Sequence, residues 1–296
     1  MTEIRLKRPL RLLAPAKINL GLEITERRPD GYHEIITILQ TVDLFDELIL
    51  APAETLSYTG DPEVPEDADL ILRALRLAES RLGISLRAQI QLKKRIPVAA
   101  GLGGGSSDAG TMLAALGALA HVPDEELRLL AAELGSDVPF FIRGGTALAT
   151  GTGTDLEALP SATRLWIVIV TPAVQIQAKT ASLYASLRTD DFSDGRLTNE
   201  VAEQLRQTNT IDPRLLHNTF ARPLYEHEGI VQARNAMLNA GATFVLPSGA
   251  GPSIFGCFSS SAIANEVVVR LSSHGIGARV CTAIGPGINN ASLAQQ

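Results

Sequence analysis

The chain predicts a fold of the α/β or α+β class, built as two units that meet near residue 160. Three observations point there. Strand-like and helix-like patterns interleave from end to end, as they do when helices are layered on sheets. A glycine-rich run, Pro97 to Ser107, sits between a strand pattern and a helix pattern. Gly, Thr and Pro collect between Gly151 and Arg164, just before a fresh apolar strand at Trp166 to Val170.

Leu12 to Ile24 is rich in aliphatics and alternates, which predicts a strand, and Arg27-Arg28-Pro29-Asp30-Gly31 predicts a turn. Ile35 to Leu50 resumes strand character. From Asp69 to Leu82 the apolar residues recur at helical spacing and stop at Gly83. Ile84, Leu86, Ala88, Ile90 and Leu92 then alternate in phase, predicting a strand that leads into the glycine run. A small-residue helix follows to about Ala120, and Pro123-Asp124-Glu125-Glu126 opens another that ends near Gly135. Asp190 to Pro213 is polar and predicts a loop with helix, and Gly249 to Gly256 predicts a second glycine-rich turn. There is no internal repeat.

Whole-chain properties exclude several classes. With 296 residues, 45% of them hydrophobic and 20% charged, the chain can bury a sizeable core. A net charge of −6 gives no electrostatic reason to expect a nucleic-acid partner. Cys257 and Cys281 form no CxxC pair or Cys/His cluster, which argues against a disulfide scaffold or structural zinc and fits a reducing compartment. The N-terminal stretch is too short and too interrupted for a signal peptide, and Leu165 to Val170 is far below spanning length. A cytoplasmic protein without a membrane partner is the expectation.

The strongest chemical signal is Pro97-Val98-Ala99-Ala100-Gly101-Leu102-Gly103-Gly104-Gly105-Ser106-Ser107-Asp108. Four glycines in five positions let backbone N–H groups converge on phosphate oxygens, and the following helix aims its positive end at the same place. One of the two serines could cap that helix while the other meets a phosphate or Mg²⁺. The run lacks the Gly-Lys-Ser/Thr of a Walker loop and the spacing of a dinucleotide fingerprint.

Other segments are weaker alone. Lys17 and Asn19, two apart in an apolar strand, share a face; Lys17 taken by itself reads as an edge lysine, and otherwise as a site residue beside anionic oxygens. Asp30-Gly31-Tyr32-His33-Glu34 is a turn entering a mixed strand. Asp137, in Leu134-Gly135-Ser136-Asp137-Val138-Pro139, caps a turn or orients a hydroxyl proton. Pro247 to Ser253 reads as a tight turn.

Together these segments resemble the kinase superfamily of galactokinase, homoserine kinase, mevalonate kinase and phosphomevalonate kinase, from Ala14 to about Phe258. The closest resemblance is to the branch that phosphorylates the 2-hydroxyl of a cytidyl-diphosphate-linked methylerythritol in non-mevalonate isoprenoid precursor synthesis. It rests on Pro15-Ala16-Lys17-Ile18-Asn19-Leu20, Arg28-Pro29-Asp30-Gly31-Tyr32-His33 and Gly135-Ser136-Asp137-Val138-Pro139. It implies a two-domain α+β fold with a mixed sheet plus helices in each part. Residues 1–160 would hold ATP, residues 161–296 would lie on the substrate side, and the site would sit in the cleft between them. Pro97 to Ser107 would wrap the ATP phosphates, with Lys94 near the adenine and Mg²⁺ as cofactor, Ser107 a candidate ligand. Lys17 and Asp137 would be the catalytic pair. Tyr32 and Tyr184 would sandwich the cytosine, with His33 and Asn19 as polar contacts and Thr180 nearby. Partners would be the cytidyl substrate and ATP, in a monomer or a homodimer.

The chain departs from that pattern in three places: Asp69 stands where Asn is usual, Asn218-Thr219 where Asn-Asp is common, and Pro-Ser-Gly-Ala-Gly where Thr/Ser-Gly-Ser-Gly is expected. Another alcohol kinase of the superfamily, or a nucleotide-binding relative without catalysis, would share the glycine loop.

Overall fold

The computed structural model describes residues 2–162, 165–174, 176 and 179–287, the side chains of 179–181 apart. The chain runs β1 (Thr2–Arg5), β2 (Leu10–Arg27), β3 (His33–Pro52), β4 (Ser57–Thr59), α1 (Leu70–Leu82), β5 (Ile84–Lys93), α2 (Gly104–Ala120), α3 (Asp124–Ala132), α4 (Val138–Phe141), β6 (Thr146–Thr150) and β7 (Asp155–Leu159). It continues with β8 (Trp166–Val170), α5 (Lys179–Ser186), α6 (Arg196–Thr208), α7 (Ala221–Leu224), α8 (Glu228–Asn239), β9 (Leu246–Pro247), β10 (Ile254–Phe258), α9 (Ser261–Ser273) and β11 (Ala278–Thr282).

Of the two fold classes open from the sequence, α+β is the one observed. Strands β1 to β7 form a seven-stranded mixed sheet along the path β1-β5-β3-β6-β7, with β2 added to β3 and β4 to β5. Only the β1–β5 and β4–β5 pairings are parallel. The second sheet, β11-β8-β10-β9, is antiparallel throughout. The first sheet closes at Leu159 and the second opens at Trp166, on either side of the Gly/Thr/Pro-rich stretch.

The long strand β2 explains much of the layering. Its register with β3 slips at Pro15/Ala16, Asn19/Gly21 and Ile24/Glu26, so it bends as it crosses the molecule. Leu12 and Ala14 pack with α1, α2 and α3 in one core; Ile18 and Leu20 pack with β8, β10 and α6 in a second. Residues 14 to 24 of β2 are therefore buried whichever way they point. A third core lies between the outer face of β8 and β10 and helices α8 and α9.

Helix α1 starts and stops where its sequence says. Asp69 accepts from the N–H groups of Ile71 and Leu72, at 2.8 and 3.2 Å, and Gly83 ends the helix with φ 63°.

The two sheets are tied by Gln40, which is fully buried on β3. Its Nε2 donates to the carbonyls of Thr41 (2.8 Å) and Ile284 (3.0 Å), and its Oε1 accepts from Thr146 Oγ1 at 2.6 Å. Replacing Gln40 by Leu leaves the buried Thr146 hydroxyl without its acceptor and removes the amide bonds to the Thr41 and Ile284 carbonyls, and the expected cost is about 1–3 kcal/mol. A guanidinium titration followed by circular dichroism should show the midpoint falling with the native spectrum unchanged.

Candidate active site

Residue Lys17 lies in the twice-covered stretch of β2 and is only 4% exposed. It is therefore not an edge lysine, because a second layer closes over the strand. A buried ammonium needs partners. Its Nζ donates to Asn19 Oδ1 at 2.7 Å and stands 3.4 Å from Asp137 Oδ2. Asn19 is held in turn: its Nδ2 donates to Thr37 Oγ1 at 2.8 Å, and Thr37 Oγ1 donates to the Gly21 carbonyl at 2.6 Å. Asn19 is thus held between Lys17 and Thr37, and it is not among the residues lining the aromatic pocket described below.

Asp137 precedes the short helix α4, and its side chain makes no cap hydrogen bond there. It is about one-third exposed and lines a cavity of about 380 Å³ together with Lys17, Lys94 and the glycine loop. The carboxylate therefore faces both a cation and open space.

The loop arrives from β5 and enters α2 at Gly104, behind an N-cap at Gly103 with φ 70°. Neither Ser106 nor Ser107 caps the helix: the cap residue has no side chain, so no side chain competes for the first-turn N–H groups. Pro97 to Ala100, Gly101, Gly103, Gly104, Gly105 and Ser106 line the cavity, while Leu102 is buried as an anchor. Ser107 departs from expectation as a metal contact, because it is fully buried and off the cavity wall, its hydroxyl without a hydrogen-bond partner. It points into the core one helical turn before Thr111, whose Oγ1 is likewise unpartnered.

The second glycine turn fixes the first. Ser248 Oγ donates to the Gly101 carbonyl at 2.9 Å and Ser253 N–H to the Ala100 carbonyl at 3.0 Å. At Gly101, with φ 81°, a Cβ would stand 2.3 Å from the Ser248 carbonyl oxygen, so no side chain fits. Asn218, an unforeseen contributor, pins this turn by donating to the carbonyls of Pro247 (2.8 Å) and Gly249 (2.9 Å). Thr219, at the Asp position of the related pattern, hydrogen-bonds the β2 backbone at Leu22 and Ile24.

Lys94 also lines the cavity, and two carboxylates missed in the sequence hold it. Its Nζ contacts Asp46 Oδ2 and donates to Asp108 Oδ2 at 2.8 Å. Burial raises the Asp108 carboxyl above its ordinary range, against the pull of the Lys94 ammonium. The only signals in the sequence were an Asp in an apolar strand and an Asp directly after the serines.

A separate aromatic pocket gathers His33, Tyr184 and Phe192 beside Arg27 and Gly31. His33 stacks on Tyr184 with centroids 4.7 Å apart and planes inclined by 22°, and Phe192 meets His33 edge-on. Burial and the Arg27 charge lower the His33 pKa, whereas burial and then the Asp137 charge raise that of Tyr184. Tyr32 does not join the stack: Asp30 accepts from its N–H at 3.0 Å and leaves the ring 66% exposed at the turn. Thr180 lies in α5, with its side chain outside those described.

The donor set does not form a resident metal cage. Among the described residues no group of three or more His, Cys, Asp or Glu could hold an ion. What fits is Mg²⁺ carried on phosphate oxygens, which needs at most one or two protein oxygens.

A cavity walled by a phosphate-type glycine loop, with a lysine–carboxylate pair in its lining, defines a phosphotransferase of small molecules. Residues 69–145 match the GHMP kinases N terminal domain and residues 200–277 the GHMP kinases C terminal. A 4-diphosphocytidyl-2-C-methyl-D-erythritol kinase of Dehalococcoides mccartyi is 38% identical over 282 residues, which is 94% of this chain and 99% of that protein. One from Bacillus subtilis is 37% identical over 82% of this chain and 86% of its own. A crystal structure of a 4-(cytidine 5'-diphospho)-2C-methyl-D-erythritol kinase superposes with TM-score 0.79 at 33% identity, over 93% of this chain and 100% of that one. Homoserine kinase from Cytophaga hutchinsonii, at 21% identity and TM-score 0.72 over 96% of this chain and 98% of that one, shares the fold. The chain belongs to the GHMP kinases and, within them, to the 4-diphosphocytidyl-2-C-methyl-D-erythritol kinase family.

Asp69 also lines the cavity, and its oxygens are taken: one by the α1 N–H groups, the other by Tyr58 OH at 2.7 Å. The Asp at this position therefore serves the helix. Asp69→Asn should leave stability nearly unchanged, whereas Asp69→Ala should cost about 1 kcal/mol or more, measured by urea unfolding.

Proposed function

We propose that this protein transfers the γ-phosphoryl group of ATP to the 2-hydroxyl of 4-diphosphocytidyl-2-C-methyl-D-erythritol, a step of isoprenoid precursor biosynthesis. The observation that carries the proposal is the Lys17–Asp137 pair at 3.4 Å, facing the glycine-loop cavity.

Asp137 orients the substrate hydroxyl and accepts its proton as the oxygen attacks the γ-phosphorus. The bond from that phosphorus to the β–γ bridging oxygen breaks, and ADP leaves. Lys17 stabilises the charge that develops between the reacting oxygens, and Asn19 keeps the ammonium aimed there. The N–H groups of the loop from Pro97 to Ser107 bind the triphosphate, with Lys94 at the nucleotide end. Mg²⁺ would supply charge neutralisation at the triphosphate, and Ser106, which lines the cavity where Ser107 does not, would be the serine placed to hold it. The cytosine stacks between Tyr184 and Tyr32, which requires His33 to leave the Tyr184 face it covers and become a polar contact at the edge of the base, with Thr180 nearby. In this proposal residues 1–160 hold the nucleotide and residues 161–296 complete the substrate side.

A coupled ADP-release assay with the cytidyl substrate, run beside homoserine and mevalonate, tests the reading. Turnover with the cytidyl compound alone is expected; activity with another alcohol instead would overturn the assignment of Tyr32, His33 and Tyr184. Asp137→Asn should lose roughly 100-fold or more in kcat while melting like the parent. Equal activity in that variant would remove the base.

A further inference from the structure

The phosphate loop is anchored at both ends by one charged cluster. At its entrance, Asp46 of β3 is fully buried, and its Oδ1 accepts the N–H groups of Arg95 (2.5 Å) and Ile96 (2.8 Å). Its other oxygen contacts the Lys94 ammonium. At the exit, Asp108 in the second turn of α2 accepts from the same ammonium at 2.8 Å. A Cβ at Gly104 would stand 3.1 Å from Lys94 Nζ, so the ammonium rests against the first turn of α2.

A lysine ammonium has three donors. Two are taken by Asp46 and Asp108, and Lys94 lines the cavity that the loop encloses. The third N–H is therefore held in one direction beside that cavity, where a free lysine would sweep many rotamers and lose entropy on binding. Holding two chain segments together needs no charge, since well-packed apolar side chains serve as well. A lysine kept between two carboxylates at a cavity wall is accounted for when its orientation matters to a ligand.

We propose that Asp46 is a positioning residue for the nucleotide: through Lys94 and Asp108 it locks the entry and exit of the 97–107 loop and fixes the one Lys94 N–H left for ATP. This rests on the assignment of the cavity to ATP. Asp46 touches no reacting atom, so its loss weakens ATP binding and spares the chemical step.

The test is steady-state kinetics together with calorimetric titration of ATP and of cytidine diphosphate. Asp46→Asn keeps an oxygen for the Arg95 and Ile96 N–H groups but loses the charge toward Lys94. It should raise KM and Kd for ATP about tenfold. The values of kcat, KM for the cytidyl substrate and Kd for cytidine diphosphate should stay within about twofold. In a Lys94→Met background the same substitution should change ATP affinity no further, because Asp46 acts through that lysine. An unchanged ATP affinity, a fall in kcat at constant KM, or an additive loss in the Lys94→Met background would each overturn the proposal. If Asp46→Asn does not fold, Asp108→Asn is judged by the same pattern. A parent enzyme that binds cytidine diphosphate but not ATP would instead overturn the nucleotide assignment itself, and this inference with it.

Discussion

A lysine ammonium inside the protein is the constraint around which the rest is arranged. Moving such an ion out of water costs several kcal/mol unless charge and hydrogen bonds replace the lost hydration. Lys17 meets this need with Asn19 on one side and Asp137 on the other. The requirement propagates outward. Asn19 must lie two residues on in the same strand, and Thr37 must fix it from the neighbouring strand. Gly249 must lack a side chain, because a Cβ there would stand 3.2 Å from Lys17 Nζ and 3.0 Å from Asn19 Oδ1. The Lys17 N–H, at 2.9 Å from the Leu102 carbonyl, hangs the glycine loop from the same point.

Segments far apart in sequence are thereby shaped by one another. The loop at 97–107 owes its path to the turn at 248–253, whose carbonyls leave no room for a Cβ at Gly101. That turn is pinned by Asn218, and Thr219 beside it bonds the backbone of β2, the strand that carries Lys17. The glycine-loop cavity is formed by residues of the first sheet's half, with Ala250 reaching in from the other. Its shape is nevertheless set by hydrogen bonds that cross between the two. The departures from the family pattern fit this account: Thr219 supplies backbone hydrogen bonds, and Asp69 caps a helix as well as Asn would.

Much of the fold was legible along the chain. Strands β2, β3 and β5 followed from alternation, α1 from its period and its Gly83 stop, and the loop from four glycines at a strand–helix junction. Helices α8 and α9 and strand β11 gave weaker signals, because helices packed on a sheet dilute their apolar stripe and short strands carry few alternations. At the site, the proposed pairing of Lys17 with Asp137 was legible only by family resemblance: Lys17 alone read as an edge residue, since no local pattern tells that a second layer covers a strand. A serine cap was expected from residue type, yet Gly103 occupies the cap position and leaves Ser107 facing the core. Asn19, which the resemblance assigns to the base, is held between Lys17 and Thr37, a pairing no local pattern announced.

By itself, the sequence determined everything that depends on near neighbours: where chains turn, which stretches have helical or strand period, and that a glycine-lined backbone could receive phosphate. It also carried the motifs that mark the family. Tertiary structure alone decided which side chains meet. The slips of register in β2 place Lys17 beneath the second layer and opposite Asp137, and Asp46 meets Lys94 across 48 residues. The physical reason is that burial and electrostatic partnership are properties of the packed layers, and no spacing within one segment encodes what is stacked above it.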